Sequence, residues 1–211
     1  MRLPHKTLER KLFKDGYRQV IGVDEVGVAC LAGPVYVCAV AFDEKFFQKN
    51  HRKLRYLRDS KLLLPHQREK FFNQLTKETD LKFRISFSDV KTIDKLNIYH
   101  AARSAMKRAI EKLKPVKESI VLMDGKGKIA GINQEQRAIV KGDRKVFAIA
   151  CASILAKVAR DRVMRKYAQK YPDYGFEKHK GYPTKLHNAQ LVKFGPCEIH
   201  RHSFAPVAKL L

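Results

Sequence analysis

Acidic residues are scarce in this sequence. Its 211 residues include 21 Asp and Glu against 44 Lys and Arg, which gives a formal net charge of +23. Such an excess of positive charge does not specify a fold, but it indicates an anionic partner, of which nucleic acid comes first. An anionic membrane surface and a merely well-solvated basic surface are the alternatives.

Long apolar runs and paired cysteines are also missing. No apolar stretch approaches the ~18 residues of a membrane-spanning helix, and the charged first 16 residues do not resemble a secretory signal. Cys30, Cys38, Cys151 and Cys197 form no C-x-x-C pair, so we expect reduced and mostly buried thiols. These features predict a cytoplasmic protein with no membrane partner.

The chain has no internal repeat, no low-complexity tract and no Gly/Ser-rich linker. Its length suits one well-buried domain. We therefore predict a single domain over residues 1–211, with an N-terminal segment at residues 1–16 and a basic C-terminal region at about residues 172–211.

The order of the periodic segments predicts an α/β domain with a mixed central β-sheet flanked by helices. The predicted strands are Gln19–Val23, Pro34–Phe42, Leu81–Ser88, Ser119–Met123 and Arg137–Val140. The predicted helices are Lys6–Lys14, Pro65–Glu78, Ile98–Leu113 and Val146–Lys170. Lys45–Arg58 is expected to be irregular. Small residues early in the last helix predict close packing against the sheet.

Three of the few carboxylates stand directly at the ends of apolar strands. Asp24 and Glu25 follow the first strand, Asp124 ends the strand at Ser119–Met123, and Asp143 precedes the small-residue helix. Carboxylates beside buried segments are costly unless they are paired or bind a metal. If the strands are neighbours, the four carboxylates converge and suit hard cations such as Mg²⁺ or Mn²⁺.

Simpler interpretations exist for each carboxylate. Asp143 just before a helix fits an N-cap, Asp124-Gly125 is a common turn dipeptide, and Asp24-Glu25 could be a solvated strand end. There is also a geometric objection, because adjacent strand residues point to opposite faces. Asp24 and Glu25 serve one site only if the pleat breaks there, and Gly27 makes such a break plausible.

The order of motifs resembles that of the bacterial ribonuclease HII family, over about residues 20–207. The motifs are Val23-Asp24-Glu25 with Leu31-Ala32-Gly33-Pro34-Val35, Asp59-Ser60-Lys61-Leu62, Asn97-Ile98, Ala105-Met106-Lys107-Arg108-Ala109, Met123-Asp124-Gly125, Ile139-Val140-Lys141-Gly142-Asp143, Ala152-Ser153-Ile154-Leu155-Ala156-Lys157-Val158 with Arg160-Asp161, His179-Lys180-Gly181-Tyr182, and His200-Arg201-His202-Ser203-Phe204-Ala205-Pro206-Val207.

The resemblance implies a ribonuclease H-like fold with a helical basic C-terminal extension. It also implies an endoribonuclease that cuts the RNA strand of RNA–DNA hybrids, or DNA duplexes containing ribonucleotides, into 5′-phosphate and 3′-hydroxyl ends. By the same resemblance, Asp24, Glu25, Asp124 and Asp143 are the catalytic residues and the ligands of two divalent cations, Mg²⁺ or Mn²⁺.

Other matched positions concern the substrate. Lys61 resembles the family's lysine near the scissile phosphate, and Tyr182 the tyrosine that packs on a deoxyribose; a solvated lysine and a core aromatic are the alternatives. The basic residues Lys178, Lys180, Lys185, Lys193 and Arg201 are expected to neutralise phosphates, with His179, His187, His200 and His202 nearby. A histidine-rich tract can also bind zinc, but no compact ligand spacing favours it.

The loop after Asp24-Glu25 departs from the family pattern. The family has Gly-Arg-Gly, whose backbone reads the ribose 2′-hydroxyl, whereas this chain has Gly27-Val28-Ala29. Val28 lacks a guanidinium for phosphate, and Ala29 brings a Cβ to a place where backbone must approach the ligand. Cys30 and Pro183 also replace the family's proline and glycine. Incision at single embedded ribonucleotides is therefore in question.

Two rivals remain at this point. One is a catalytically impaired, basic nucleic-acid-binding protein of the same fold, and the other is a ribonuclease HIII-like activity, for whose extra N-terminal domain the chain is short. The end of the chain at Leu211 carries no sliding-clamp motif, and a monomer is expected.

Overall fold

A five-stranded mixed sheet forms the centre of the fold. The structure is a computed structural model, and it describes residues 3–4, 6–50, 54, 56–57 and 59–211. The strands are β1 (Gln19–Val26), β2 (Val35–Phe42), β3 (Lys82–Ser88), β4 (Ser119–Asp124) and β5 (Glu135–Ile139), in the spatial order β3-β2-β1-β4-β5. β1, β4 and β5 are parallel, while β2 is antiparallel to both β1 and β3.

Helices cover both faces of this sheet. They are α1 (Thr7–Lys14), α2 (Glu44–Asn50), α3 (Pro65–Lys77), α4 (Val90–Leu96), α5 (Ile98–Leu113), α6 (Gly142–Lys145), α7 (Phe147–Lys170), α8 (Phe176–His179), α9 (Lys185–Phe194) and α10 (Ala205–Ala208), with 3₁₀ turns at Ser60–Leu62 and Pro172–Tyr174. Within the described residues, no helix is long and apolar enough to cross a membrane.

The alternation of side chains along β1 divides the core into two layers. Val20 packs in the layer that contains α7, whereas Ile21 and Val23 pack in the layer that contains α5. This is the period-two pattern of a strand buried on both faces. This alternation matters for the site, because it determines whether each later residue of β1 lies on the α7 face or on the α5 face of the sheet.

Gly22 explains how α7 comes so close to β1. A Cβ at Gly22 would lie 2.2 Å from the backbone carbonyl of Ala148, so only glycine fits there. The small residues at the start of α7 therefore pack closely against the sheet, as the sequence predicted. The N-terminal helix α1 joins the same place, since buried Glu9 accepts a hydrogen bond from the backbone N–H of Ala148 at 3.0 Å.

The segment predicted to be irregular, Lys45–Arg58, begins with a helix, so this prediction is wrong for residues 45–50. The carboxylate of Asp43 accepts the N–H of Phe46 at 2.9 Å, and Phe46 and Phe47 are buried. An acceptor at the N-cap together with two apolar residues on one side stabilises α2. Residues 51–53, 55 and 58 lie outside the described residues.

The remaining expectations are met closely. β1 and β2 form an antiparallel pair, and the predicted strands and helices are present with ends that differ by at most three residues. Cys30, Cys38 and Cys151 are buried free thiols, and Cys197 is half-buried. The mixed sheet with helices on both faces confirms the predicted fold class.

Candidate active site

The parallel pairing of β1 with β4 brings two of the candidate carboxylates side by side. The register joins Val23 to Met123, so Asp24 and Asp124 are the next residues of adjacent strands. Gly125 follows with φ +90°, which turns the chain away directly after the strand. The turn and the strand end are thus combined at Asp124.

Asp24 lies on the α7 face of the sheet and is buried. Burial raises the pKa of Asp24 well above its usual range, and the charge of Glu25 raises it further. A hydrogen bond with Ser153 of α7 opposes this shift. The hydroxyl of Ser153 in turn lies 2.9 Å from that of Ser60, so α7 and the Ser60–Leu62 turn both support this carboxylate.

Glu25 addresses the opposite, α5 face. β1 remains regularly paired through Val26, so the pleat does not break at residues 24–25 as the sequence argument had required. Burial raises the pKa of Glu25, and the charge of Asp124 adds to this effect, while Arg103 of α5 lowers it. Its Oε2 atom is buried without a hydrogen-bond partner among the described residues.

Asp124 is the carboxylate that connects the other three candidate residues. Its negative charge raises the pKa of Asp24, Glu25 and Asp143, so it lies within electrostatic reach of all three. Its Oδ1 atom accepts the backbone N–H of Gly142 at 2.7 Å, which ties the end of β4 to the start of α6. Asp24 and Glu25 thus flank Asp124 from the two faces of the sheet.

Asp143 is the second residue of α6, and Lys141 occupies the N-cap position. The alternative that Asp143 is itself an N-cap is therefore wrong. Burial raises the pKa of Asp143, as do the charges of Asp59 and Asp124, whereas Lys61 lowers it. The side chain of Lys61 is 72% exposed and its ammonium lies 3.9 Å from Asp143 Oδ2, so it remains available to an anion.

A carboxylate cluster of this kind suits a hard cation, because raised pKa values report negative charges that lack compensation. In the described part of the chain, however, no three carboxylate, imidazole or thiolate groups are placed to hold one ion together. Mg²⁺ commonly binds one or two carboxylates and completes its shell with water and substrate phosphate. The donor set, with the unpartnered Oε2 of Glu25, fits that mode rather than an all-protein cage.

Two arginines that have no exposure to solvent bind the backbone of the loop between β1 and β2 from the interior of the protein. Arg160 donates to the carbonyls of Pro34, Lys180 and Ala32 at 2.9–3.1 Å. Arg201 donates to the carbonyls of Gly27, Val28 and Gly33 at 2.6–3.0 Å. The inward carbonyls of the loop are thus satisfied by cations instead of by secondary structure.

Arg201 was expected to neutralise phosphate, and this expectation is wrong, because its guanidinium has no solvent exposure and donates four hydrogen bonds to backbone carbonyls. Two of the nearby histidines are also internal. His187 and His200 are buried with their Nε2 atoms 3.1 Å apart, and burial lowers the pKa of each to about 4. They are neutral at pH 7 and serve as packing and hydrogen-bonding groups.

The altered loop keeps part of the freedom that the family pattern provides. Gly27 has φ +94°, and a Cβ there would lie 2.3 Å from Arg160 Nε, so glycine is required twice over. Ala29 does not adopt a positive φ and is exposed together with Val28. Among the described residues, neither the N–H of Val28 nor that of Ala29 donates to a protein acceptor.

The remaining substrate candidates lie around this loop. Tyr182 is half-buried, with the cations of Lys157 and Arg160 at 5.6 Å and 5.8 Å from its ring centre, and burial raises its pKa to about 12. Lys180 is half-buried and donates to the carbonyl of Glu177. Lys185, at the start of α9, is exposed.

Sequence reasoning did not assign roles to Ser153, Arg103 or Arg160, which contact or support these groups. Ser153 and Arg160 lie within motifs of the family, but no local pattern indicates what their side chains contact. Their partners are residues far away in the chain, such as Pro34, which is 126 positions from Arg160. The sequence signals of these contacts are Gly22 and Gly27, because the absence of their side chains makes room for Ala148 and Arg160.

Comparison with known proteins agrees with this arrangement. A family model described as ribonuclease HII matches residues 21–207. Ribonuclease HII of Caldicellulosiruptor bescii is 52% identical over 197 residues, which cover 93% of this chain and 91% of that protein. Ribonuclease HII of Acholeplasma laidlawii is 43% identical over 211 residues, which cover 100% and 99%.

Among solved structures, the ribonuclease H2 from Pyrococcus horikoshii OT3 is similar, with a TM-score of 0.72 and 27% identity, covering 91% of this chain and 96% of that one. This likeness confirms the ribonuclease H-like fold. The relatives do not favour the alternative of a non-enzymatic binding protein. From the family model and from identities above 40% over nearly the whole chain, it follows that the chain belongs to the ribonuclease HII family.

Proposed function

We propose that this endoribonuclease uses Asp24, Glu25, Asp124 and Asp143 to hold two divalent cations, Mg²⁺ or Mn²⁺, while it hydrolyses the RNA strand of an RNA–DNA hybrid. The observation that carries the proposal is the position of Asp124, which follows the β4 residue paired with Val23 and accepts the N–H of Gly142, next to Asp143, at 2.7 Å. Burial raises the pKa of Asp24, Glu25 and Asp143, and buried carboxylates of this kind are unfavourable alone and favourable around cations.

The chemistry that two bound cations supply to such a site is activation of a water and stabilisation of the leaving 3′ oxygen. The protein groups position the strand. The exposed ammonium of Lys61, 3.9 Å from Asp143, is placed to bind the scissile phosphate. The backbone of Lys61 is fixed by the buried carboxylate of Asp59. This carboxylate accepts the N–H of Lys61 at 2.8 Å and the Nε–H of Arg144 at 3.0 Å.

Recognition of the ribonucleotide falls to the Gly27–Ala29 loop and to Tyr182. The N–H groups of Val28 and Ala29, which have no acceptor within the described part of the chain, are proposed to meet the 2′-hydroxyl, while Arg201 binds the carbonyls of Gly27 and Val28. The half-buried ring of Tyr182 is available to a neighbouring deoxyribose, an ordinary form of nucleic-acid contact. Cleavage then leaves a 5′-phosphate and a 3′-hydroxyl.

The basic C-terminal region completes the substrate surface. Lys180 and the exposed Lys185 are proposed to neutralise backbone phosphates of the hybrid, or of a DNA duplex with an embedded ribonucleotide. In keeping with the sequence, we also propose one domain over residues 1–211, a monomer without a clamp partner, and a cytoplasmic location.

A cleavage assay with metal control tests the proposal. A labelled RNA–DNA hybrid and a DNA duplex with one ribonucleotide are incubated with the protein in EDTA, in Mg²⁺ and in Mn²⁺, and the product ends are mapped. We expect no cleavage in EDTA and restored cleavage with either cation. Full activity in EDTA, or cleavage of the DNA strand of the hybrid, contradicts the proposal.

A further inference from the structure

A cleft of about 290 Å³ opens beside the carboxylate cluster, on the α5 face of the sheet. Glu25 and Asp124 of the carboxylate cluster line it. Val28 of the altered loop, Tyr99 and Arg103 of α5, and Lys126 of the turn after β4 line it as well. The cleft thus combines two carboxylates of the candidate site with two cations and an aromatic ring.

Two of the lining residues, Tyr99 and Arg103, lie one turn apart on α5. The guanidinium carbon of Arg103 lies 5.2 Å from the ring centre of Tyr99, within the range of a cation–π contact. Tyr99 is 56% exposed even so. An aromatic ring held in place by a cation, yet open to solvent beside a nuclease site, is suited to stacking on a base or sugar.

Arg103 keeps part of its hydrogen-bonding capacity for a ligand. Its terminal nitrogens donate to Met123 Sδ, to the carbonyl of Gly127 and to the carbonyl of Lys126. A guanidinium carries five N–H groups, so the Nε–H and one terminal N–H are left without an acceptor among the described residues. Its charge lowers the pKa of Glu25, but no carboxylate within the described part of the chain lies close enough to form an ion pair with it.

Resting on the function proposed above, we propose that Tyr99, Arg103 and Lys126 form a subsite for one nucleotide of the cleaved strand, directly beside the scissile phosphate. The ring of Tyr99 stacks on the base or sugar, and the side chains of Arg103 and Lys126 bind the flanking phosphate. The subsite also accounts for the missing arginine of the loop. Arg103 faces the same cleft as Val28 and supplies a guanidinium there from α5 instead.

The competing interpretation is that Arg103 serves only to anchor the turn after Asp124. The two roles differ in what they change. A turn anchor acts on the position of Asp124 and therefore lowers kcat, whereas a phosphate contact changes the affinity for the strand and its dependence on salt. Binding measured without any divalent cation therefore separates them.

The first experiment measures the affinity of a fluorescent RNA–DNA hybrid by anisotropy in EDTA, over a series of salt concentrations. Arg103→Met should lower the slope of log affinity against log salt by about one contact, while Arg103→Lys keeps the slope. Lys112→Met is the matched control, because Lys112 is an exposed cation about two and a half turns further along α5, on the opposite side of the helix. It should leave the slope unchanged.

The second experiment tests stacking. Tyr99→Ala should weaken binding at least about fivefold, the lower end for loss of one stacked base, whereas Tyr99→Phe retains the ring and should bind as the unmodified protein does. A hybrid with an abasic residue next to the cleavage position should bind the Tyr99→Ala and unmodified proteins equally. If Tyr99 stacks on the sugar alone, the abasic substitution leaves the Tyr99→Ala effect in place.

The outcomes distinguish this inference from the proposed function. If the unmodified protein cuts the hybrid with Mg²⁺ or Mn²⁺, but Arg103→Met and Tyr99→Ala bind like the Lys112→Met control, the subsite is wrong and the function stands. If no cleavage occurs with either cation, the proposed function fails, and the binding series still decides the subsite. A loss of kcat in Arg103→Met with an unchanged salt slope assigns Arg103 to the turn and overturns the proposal.

Discussion

The guanidinium of Arg201 donates to the backbone carbonyl of Gly27 at 2.6 Å, from a position with no solvent exposure. The two residues are 174 positions apart, so this bond ties the end of the chain to the loop beside the carboxylates. Arg201 also satisfies the carbonyls of Val28 and Gly33. A cation that the sequence places in a basic substrate-binding tail is therefore a structural element of the recognition loop.

We expect Arg201→Met to destabilise the protein by about 3 kcal/mol or more, because a buried carbonyl left without a donor costs ~1–3 kcal/mol. Arg201→Lys should recover only part of this loss, since an ammonium cannot reproduce the planar fork. Urea unfolding measures both. Arg165→Met is the control: Arg165 is half exposed and paired with Glu69, and such pairs contribute at most ~1 kcal/mol. Equal effects at the two positions would contradict the role of Arg201.

The carboxylate cluster leads to a second prediction. Asp124→Asn and Asp143→Asn should lower the cleavage rate by several orders of magnitude, because neutral amides are poor ligands for Mg²⁺. Hybrid binding in EDTA should stay near normal or tighten, since one anion fewer faces the phosphates. The amide oxygen at position 124 can still accept the N–H of Gly142, so folding should persist.

Single-turnover cleavage measures the rate, and anisotropy measures hybrid affinity. The exposed Asp15 provides the matched control, because Asp15→Asn removes the same charge outside the candidate cluster and should change neither the rate nor the affinity. An Asp124→Asn protein with normal cleavage would show that Asp124 does not belong to the catalytic set.

A third prediction concerns pH and the N-terminal helix. Burial raises the pKa of Glu9 from its ordinary 4.5 to about 7, despite a hydrogen bond from Ala148. The folded state thus holds this proton more tightly than the unfolded chain does. Its contribution to stability is fully present below about pH 4.5 and is lost as the pH rises to about 7, by about 3 kcal/mol in all.

Glu9→Gln should remove this dependence, since the amide resembles the protonated acid and keeps an oxygen for the N–H of Ala148. We expect the variant to be more stable than the unmodified protein at pH 8 and similar to it near pH 5, by urea unfolding at each pH. Glu118→Gln, at an exposed position, should leave the pH profile as it is. A Glu9→Gln protein that tracks the unmodified one from pH 5 to 8 would show that Glu9 ionises freely.

The sequence predicted the central sheet and its two main helices because their signals are local. β1 and β4 are short apolar runs, α5 repeats apolar residues at three- and four-residue steps, and α7 begins with small residues, so each carries its signal within its own segment. The four candidate carboxylates were also found, since strand ends and motif order both marked them. Asp24 and Glu25 lie on opposite faces of β1, as the geometry of a strand requires, and the break in the pleat that Gly27 made plausible does not occur at these residues.

Contacts between distant segments could not be predicted in this way. A basic, histidine-rich tail looks the same in sequence whether its cations face phosphate or lie inside the protein. Arg201 and His200 are buried only because the tail folds back over the β1–β2 loop and brings carbonyls and an imidazole to them. Burial of this kind depends on partners that no local pattern reveals.

The last prediction concerns the altered loop and the choice of substrate. Gly27 supplies the positive φ that the turn requires, and Ala29 adopts no positive φ, so Ala29 is not strained. Any effect of Ala29 on the proposed contact with the 2′-hydroxyl therefore comes from its Cβ, which takes up space beside the N–H groups of Val28 and Ala29. A buried hydroxyl with one partner fewer forfeits ~1–3 kcal/mol, or about five- to 150-fold in preference. We therefore expect cleavage of continuous hybrids with a reduced preference for a single embedded ribonucleotide.

Val28→Arg combined with Ala29→Gly should raise cleavage of the single-ribonucleotide duplex more than that of the hybrid. Val28 is 38% exposed, so an arginine fits there without unfolding the loop. Val192→Arg adds the same charge at a position that is 70% exposed, and it should favour neither substrate. The ratio of kcat/KM for the two substrates is the measurement. If the unmodified protein already cuts both equally and the double substitution leaves that ratio unchanged, the Gly27–Ala29 loop does not set the preference, because neither added room nor added charge affects the choice.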